Sequence, residues 1–214
     1  MTPNDSQPAR PAAPRFVFWY GHDGMRGTST ASGRSESMGV DRAALARRIK
    51  EVAYLTGQFT LRSGATSSFY WDKYRFESDP SILAAVTEAI LPNLPKQYDK
   101  LAGLELGGIP LATSLSLQSG KPCLYVRKEA KSYGTSNLVE GGHQPGERVV
   151  VVEDVITSGG QVCTSVKQMR DLGFVVEDVV CVIDRQQGGQ AAIEAIGCSL
   201  RPLFTLAELE ALAG

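Results

Sequence analysis

Apolar positions fall into a regular rhythm from Asp41 onward. Leu45, Ile49, Val52, Ala53 and Leu55 recur at helical spacing, and Asp41 stands where an N-cap carboxylate would close the first turn. Gln58 to Leu61 and Ser67 to Trp71 predict a short strand pair joined through Ser63-Gly64. Asp79-Pro80 opens a second helix running to Leu91, with proline in the first turn, where its missing N–H costs nothing. Short apolar runs then predict strands at 100–104, 122–126, 149–153, 175–183 and 199–203. Between and after them, helices are predicted at 110–119, 160–172, 188–196 and 205–212, the last opened by Thr205 and Glu208 at capping-box spacing. Strands alternating with helices predict an α/β protein with a mostly parallel, doubly wound sheet. No internal repeat interrupts the pattern.

Residues 1–37 differ. They are rich in Pro, Ser, Gly, Thr and Arg and hold one apolar cluster, Phe16 to Tyr20, too short for a signal-peptide core. They read as a disordered leader, with Met38 as an alternative start and a docking peptide as the sharper option. Residues 38–214 read as the folded domain.

At 214 residues and 43% hydrophobic, the chain can bury one good core. A net charge of −1 argues against a nucleic-acid scavenger, since no face need be strongly basic, and any anion site is expected to be local. Cys123, Cys163, Cys181 and Cys198 are scattered singly, which favours reduced thiols over disulfides or zinc. No apolar stretch approaches a membrane span. A soluble, cytoplasmic protein without nucleic-acid or membrane partners is expected.

The valine run Val149–Val152 reads as a strand buried on both faces of the sheet. Glu153 and Asp154 follow where that strand is expected to end, outside the core. After Val155 and Ile156 comes Thr157-Ser158-Gly159-Gly160, leading into a helical pattern at Gln161. Ligands collect at the carboxyl ends of strands in open α/β sheets. The free N–H groups of such a turn, with a helix N-terminus behind it, suit a phosphate dianion. Paired carboxylates beside a phosphate cradle make sense if they accept hydrogen bonds from sugar hydroxyls while the turn holds the sugar's 5-phosphate.

Three other stretches carry chemistry. Arg127-Lys128-Glu129-Ala130-Lys131 opens a roughly twenty-residue connection to Gly146 with little periodicity, a length usually reserved for function. Its cations could clamp a diphosphate, placing charge on a leaving group where it favours the transition state. Gly57 to Gly64, followed by Ser67 to Asp72, forms the predicted strand pair. Asp184-Arg185-Gln186-Gln187-Gly188-Gly189 ends a strand in a planar guanidinium fork, suited to a carboxylate or carbonyl edge, or else to a salt bridge with Asp184.

The acid-pair motif resembles the phosphoribosyl-diphosphate (PRPP) signature of type I phosphoribosyltransferases. All four stretches, in this order, are similar to the orotate phosphoribosyltransferase family: the F-x-L-x-SG-x-x-S strand pair, the R-K-E-x-K lid, the acid pair and the D-R-x-x-G-G turn. The resemblance covers about Met38 to the C-terminus, and the last turn separates orotate enzymes from purine-type relatives. It implies the type I phosphoribosyltransferase fold, with helices flanking the sheet, a small N-terminal hood and a mobile lid loop. It also implies transfer of the 5-phosphoribosyl group from PRPP to N1 of orotate in UMP biosynthesis.

By the same resemblance, Glu153 and Asp154 would hold the ribose hydroxyls, and Val155, Ile156, Thr157, Ser158, Gly159, Gly160 and Gln161 the 5-phosphate. Lys128 and Lys131 would grip diphosphate and, with Asp154, carry catalysis, while Arg127 would reach into a neighbouring subunit's site. Thr157, Arg185, Arg62, Tyr70 and Trp71 would bind orotate. Mg²⁺ would ride on PRPP, with no protein metal ligands, and the enzyme would be a homodimer with shared active sites. Tyr133 and Gly107 stand where some members carry His and Lys, and Lys73 is a candidate replacement for the second of these. A purine-type transferase and a non-catalytic PRPP sensor remain as rivals.

Overall fold

The computed structural model describes residues 40–60, 64–129 and 138–214. The expectations for the leader, Met38, Arg62, Lys131 and Tyr133 concern residues outside that set.

Helix α1 (Arg42–Ala53) is capped by Asp41, whose side chain accepts the amides of Ala43 and Ala44 at 3.0 and 3.1 Å. Strand β1 (Tyr54–Thr60) follows without a linker and pairs antiparallel with β2 (Thr66–Trp71). Leu55, expected in the helix, therefore lies in a strand. The reason is cross-strand aromatic packing, which outweighs helical spacing here. Tyr54 stacks on Phe69 with centroids 5.5 Å apart and meets Trp71 edge-on at 5.4 Å. This pair forms its own two-stranded sheet, the expected hood. A single helical turn, α2 (Tyr74–Glu77), was not legible in the periodicity. Helix α3 (Pro80–Ile90) is capped by Asp79, which accepts the Ser81 and Ile82 amides at 2.9 and 3.0 Å.

The remaining elements build the main layer: β3 (Lys100–Leu104), α4 (Gly108–Ser119), β4 (Cys123–Val126), β5 (Val139–Glu140), β6 (Arg148–Ile156), α5 (Gly160–Asp171), β7 (Val175–Asp184), α6 (Gly189–Ala195), β8 (Ser199–Thr205) and α7 (Leu206–Ala213). Thr205 and Glu208 close the capping box of α7. Six strands lie in the order β5-β4-β3-β6-β7-β8, parallel throughout except for the antiparallel edge pair β4–β5. The valine run alternates between layers. Val150 and Val152 pack with Ile49, Phe76, Leu111 and Phe204 on one face, and Val149 and Val151 with Leu124, Val166 and Met169 on the other.

Two expectations need correction. Strand β6 does not end at residue 153 with the acid pair outside the core. It continues to Ile156 because β7 extends alongside it, pairing Glu153 with Cys181 and Ile156 with Asp184. Glu153 and Asp154 are thus inside the sheet and buried, at 9% and 0% exposure. The long connection is also less irregular than expected, since β5 adds to the sheet edge and Val139 is buried.

The chain passes from β3 outward to β4 and β5, then returns to place β6 on the other side of β3. That reversal makes a topological switch point at the carboxyl ends of β3 and β6, where an open sheet presents a crevice.

Candidate active site

A cleft of about 640 Å³ opens at this switch point. Its floor is the end of β6, the turn Thr157-Ser158-Gly159 and the first residues of α5. Among the described residues no side chain caps α5, which leaves its first-turn amides open at the cleft. Gly159 sets the turn in left-handed backbone at φ +76°. Gly189 lets the turn after β7 pack beneath it, because a Cβ there would press on Ile156 and come 2.6 Å from the Thr157 carbonyl oxygen. The walls come from Tyr70 and Trp71 at the end of β2, Lys73 after it, Glu105 and Leu106 after β3, Lys128 after β4, and Arg185 after β7. Glu105 accepts the Lys128 amide at 3.2 Å and ties two of these walls together.

Beneath the cleft lies a buried acid cluster. Asp154 Oδ1 accepts the Val155 amide at 2.5 Å, and Lys73 Nζ stands 2.5 Å from Oδ2. Glu153 Oε1 accepts the Asp154 amide at 3.0 Å. Glu77, from α2, is 5% exposed and in hydrogen-bonding contact with the Asp154 carboxyl. The Lys73 ammonium holds Oδ2, whereas Glu77 Oε1 is left without a hydrogen-bond partner among the described residues.

Burial sets the protonation pattern. It pushes Glu153 well above the ordinary carboxylate range, with the neighbouring Asp154 adding to it. Burial, then the Asp154 charge, pushes Glu77 up to about 9. Asp154 resists its own burial and stays low, held as the ion by its hydrogen bond with Glu153 and by the Lys73 charge. Lys73 is raised, because Asp154 outweighs the burial that would lower it. Burial thus favours the protonated form of Glu153 and Glu77, while Lys73 favours the charged form of Asp154, an arrangement that limits uncompensated buried charge.

This pattern carries a prediction for stability. Folded Glu77 keeps its proton to about pH 9, whereas in the unfolded chain it releases it near the ordinary 4.5. Its charged neighbours are Asp154 across the sheet and Lys73 and Asp72 on its own segment. The folded state binds the extra proton throughout that window, so wild-type stability is lost as pH rises from 4.5 toward 9. Glu77→Gln removes that slope. Its melting temperature should gain on wild type between these limits and then level off, and a pH-independent difference would contradict the assignment.

Of the residues singled out in the sequence, Tyr70, Trp71, Lys128, Glu153, Val155 to Gln161 and Arg185 line the cleft together. Asp154 sits just behind its wall. Arg127 does not line it and pairs with Glu140 of its own chain at 3.0 Å. Arg185 makes no ion pair with Asp184 among the described residues. Asp184 Oδ1 instead accepts the Gln186 amide at 2.9 Å. Gly107, read as a missing cation, has a steric reason: a Cβ there would collide with the Asp154 carboxylate. Glu77 was missed, although Lys73 and Glu77 stand four residues apart, a spacing that puts them on one helical face.

Residues 79–195 match the phosphoribosyl transferase domain. The chain is 49% identical over 169 residues to an orotate phosphoribosyltransferase of Nocardioides sp., covering 79% of this chain and 94% of that protein. It is 40% identical over 170 residues to an orotate phosphoribosyltransferase of Methanocaldococcus jannaschii, covering 79% and 97% respectively. The crystal structure of Mycobacterium tuberculosis orotate phosphoribosyltransferase in complex with PRPP superposes with a TM-score of 0.68 at 33% identity, over 79% of this chain and 99% of that one.

Proposed function

Because the chain belongs to the orotate phosphoribosyltransferase family, it transfers the 5-phosphoribosyl group of PRPP to N1 of orotate, giving orotidine 5′-phosphate and diphosphate in pyrimidine biosynthesis, and we propose that it does so in the cleft at the β3–β6 switch point. The observation that carries this reading is the uncapped N-terminus of α5 between a buried acid cluster on one side and, on the other, Arg185, which makes no ion pair among the described residues.

The 5-phosphate would lie on the amides from Thr157 to Gly160, where partial positive charge at the helix start favours an anion. The ribose hydroxyls would donate to Glu153 and Asp154. Diphosphate would meet Lys128, joined by Lys131 of the lid, with Lys73 supplying the cation that Gly107 cannot. Arg185 would fork onto the orotate carboxylate, Thr157 would bond a ring carbonyl, and Tyr70 and Trp71 would cover the pyrimidine face, with Arg62 as a further orotate contact. Orotate is already anionic and needs no strong general base. The protein's work is to align N1 with the anomeric carbon, neutralise the leaving diphosphate and exclude water.

Mg²⁺ is proposed to arrive with PRPP, where it would add positive charge to the leaving diphosphate. The acid cluster does not fit a resident divalent ion, because Asp154 is fully buried and its Oδ2 is held by Lys73. No described helix is long and apolar enough to cross a membrane. We place the enzyme in the cytoplasm on the grounds of its substrates.

A purine-type reading shares the cradle but leaves Arg185 without a carboxylate to bind. The test is a panel of orotate, uracil, adenine and hypoxanthine with PRPP and Mg²⁺. Product from orotate alone is expected, and product from a purine alone would overturn the reading.

We further propose a homodimer whose lids are exchanged, with Lys131 of one chain serving the other chain's site. Arg127 would have to leave Glu140 to join it. Mixing Lys131→Ala chains with Asp154→Asn chains should then restore one good site in each mixed dimer, since both lesions fall in the other site. Activity no greater than the sum of the two parents, despite verified subunit exchange, would mean that each lid serves its own chain.

A further inference from the structure

Glu77 ends a one-turn helix, is nearly inaccessible to solvent and does not line the cleft, yet its carboxyl abuts Asp154. Buried polar atoms are rarely left without partners, and two carboxylate oxygens cannot satisfy each other. Here Glu77 Oε1 is buried with no hydrogen-bond partner among the described residues, while the neighbouring Asp154 Oδ2 meets only the Lys73 ammonium. A proton between the two carboxyls gives Glu77 a partner and adds a second donor to Asp154. Asp154 already has the Val155 amide on Oδ1 and Lys73 beside Oδ2, so it is the better anion. The proton therefore belongs to Glu77.

We infer that Glu77 is a positioning residue for PRPP: as the neutral acid it donates to Asp154 and, with Lys73, fixes the carboxylate that receives the ribose hydroxyls. The inference rests on reading Asp154 as a ribose-binding acid. Its physical content is geometric. The Asp154 side chain sits in the space left by Gly107, with an amide, an ammonium and a carboxylic acid converging on it. Removing the acid leaves an anion free to turn toward Lys73 and away from the sugar. Ionising it would place a second charge beside Asp154 just where a polyanionic substrate must bind.

Three substitutions separate this role from a packing role. Glu77→Met keeps length and apolar contact but cannot donate. It should raise the KM for PRPP about tenfold, the scale of one lost charge-assisted hydrogen bond, and leave the KM for orotate near wild type. Glu77→Gln keeps an N–H donor at the same reach and should recover most of that loss. Glu77→Asp keeps the carboxyl but not the reach and should behave like Met. A purely structural role would lower thermal stability without splitting the two KM values. Asp154→Asn serves as the control. If it leaves PRPP binding intact, the ribose-site reading has failed. If it weakens PRPP binding while Glu77→Met does not, or if Gln is as impaired as Met, the inference about Glu77 is overturned. An infrared difference spectrum of wild type against Glu77→Gln at neutral pH gives a readout that does not depend on the Met variant folding. A protonated-carboxyl C=O band present only in wild type is expected, and its absence would overturn the proposal.

Discussion

Asp154→Asn should lower kcat/KM for PRPP by about a hundredfold or more, the scale of removing one preorganised charge from a water-excluded site. Its carboxyl is the one in the cluster held low, beside the Lys73 charge, and it lies at the carboxyl end of the central strand beside the phosphate cradle. The amide keeps the shape but loses the charge that faces an electron-poor sugar in the transition state. It also loses half of its capacity to accept ribose hydroxyls. The fold will register the change as well. Asp154 is fully buried and ion-paired, so the variant should melt a few degrees lower. The loss is softened because the Lys73 side chain, 33% exposed, can turn toward water. Kinetics at varied PRPP and a thermal melt measure the two effects together. A near wild-type kcat and PRPP KM in a stably folded variant would sink the assignment.

Arg185→Ala should raise the KM for orotate by about ten- to a hundredfold, which corresponds to losing a two-point, charge-assisted hydrogen bond of roughly 1.5–3 kcal/mol. The guanidinium lines the cleft and is spent on no carboxylate among the described residues. The melting temperature and the KM for PRPP should therefore hold. Arg185→Lys should recover only part of the loss, because a point charge cannot match the planar fork. An unchanged KM for orotate in the alanine variant would move the carboxylate-binding site elsewhere.

How far the sequence could carry this account depended on whether the decisive interaction was local. The valine run announced a two-faced buried strand because its composition suffices, and its residues do alternate between both layers. The caps at Asp41 and Thr205 and the helix start at Asp79-Pro80 were legible because each is settled within four residues. The end of β6 was misread because a carboxylate pair normally marks a solvent boundary. Its burial depends on Lys73 and Glu77, which reach it from a distant segment. Gly107 looked like a lost cation for the same reason, since the Asp154 carboxylate that fills its space is remote in the chain. Leu55 matched helical spacing until Tyr54 found its aromatic partners across β2. Strand β5, two residues long, is too short for any period to reveal. Arg127 read as a free lid cation because Glu140 joins it only once β4 and β5 pair.

The most direct test of the central claim follows orotate and diphosphate together after wild-type enzyme is mixed with PRPP, Mg²⁺ and orotate. Loss of orotate absorbance and appearance of diphosphate in equal molar amounts, with orotidine 5′-phosphate as product, is the predicted result. Diphosphate released while orotate is not consumed would contradict it, because the cleft would then be activating PRPP for a different acceptor.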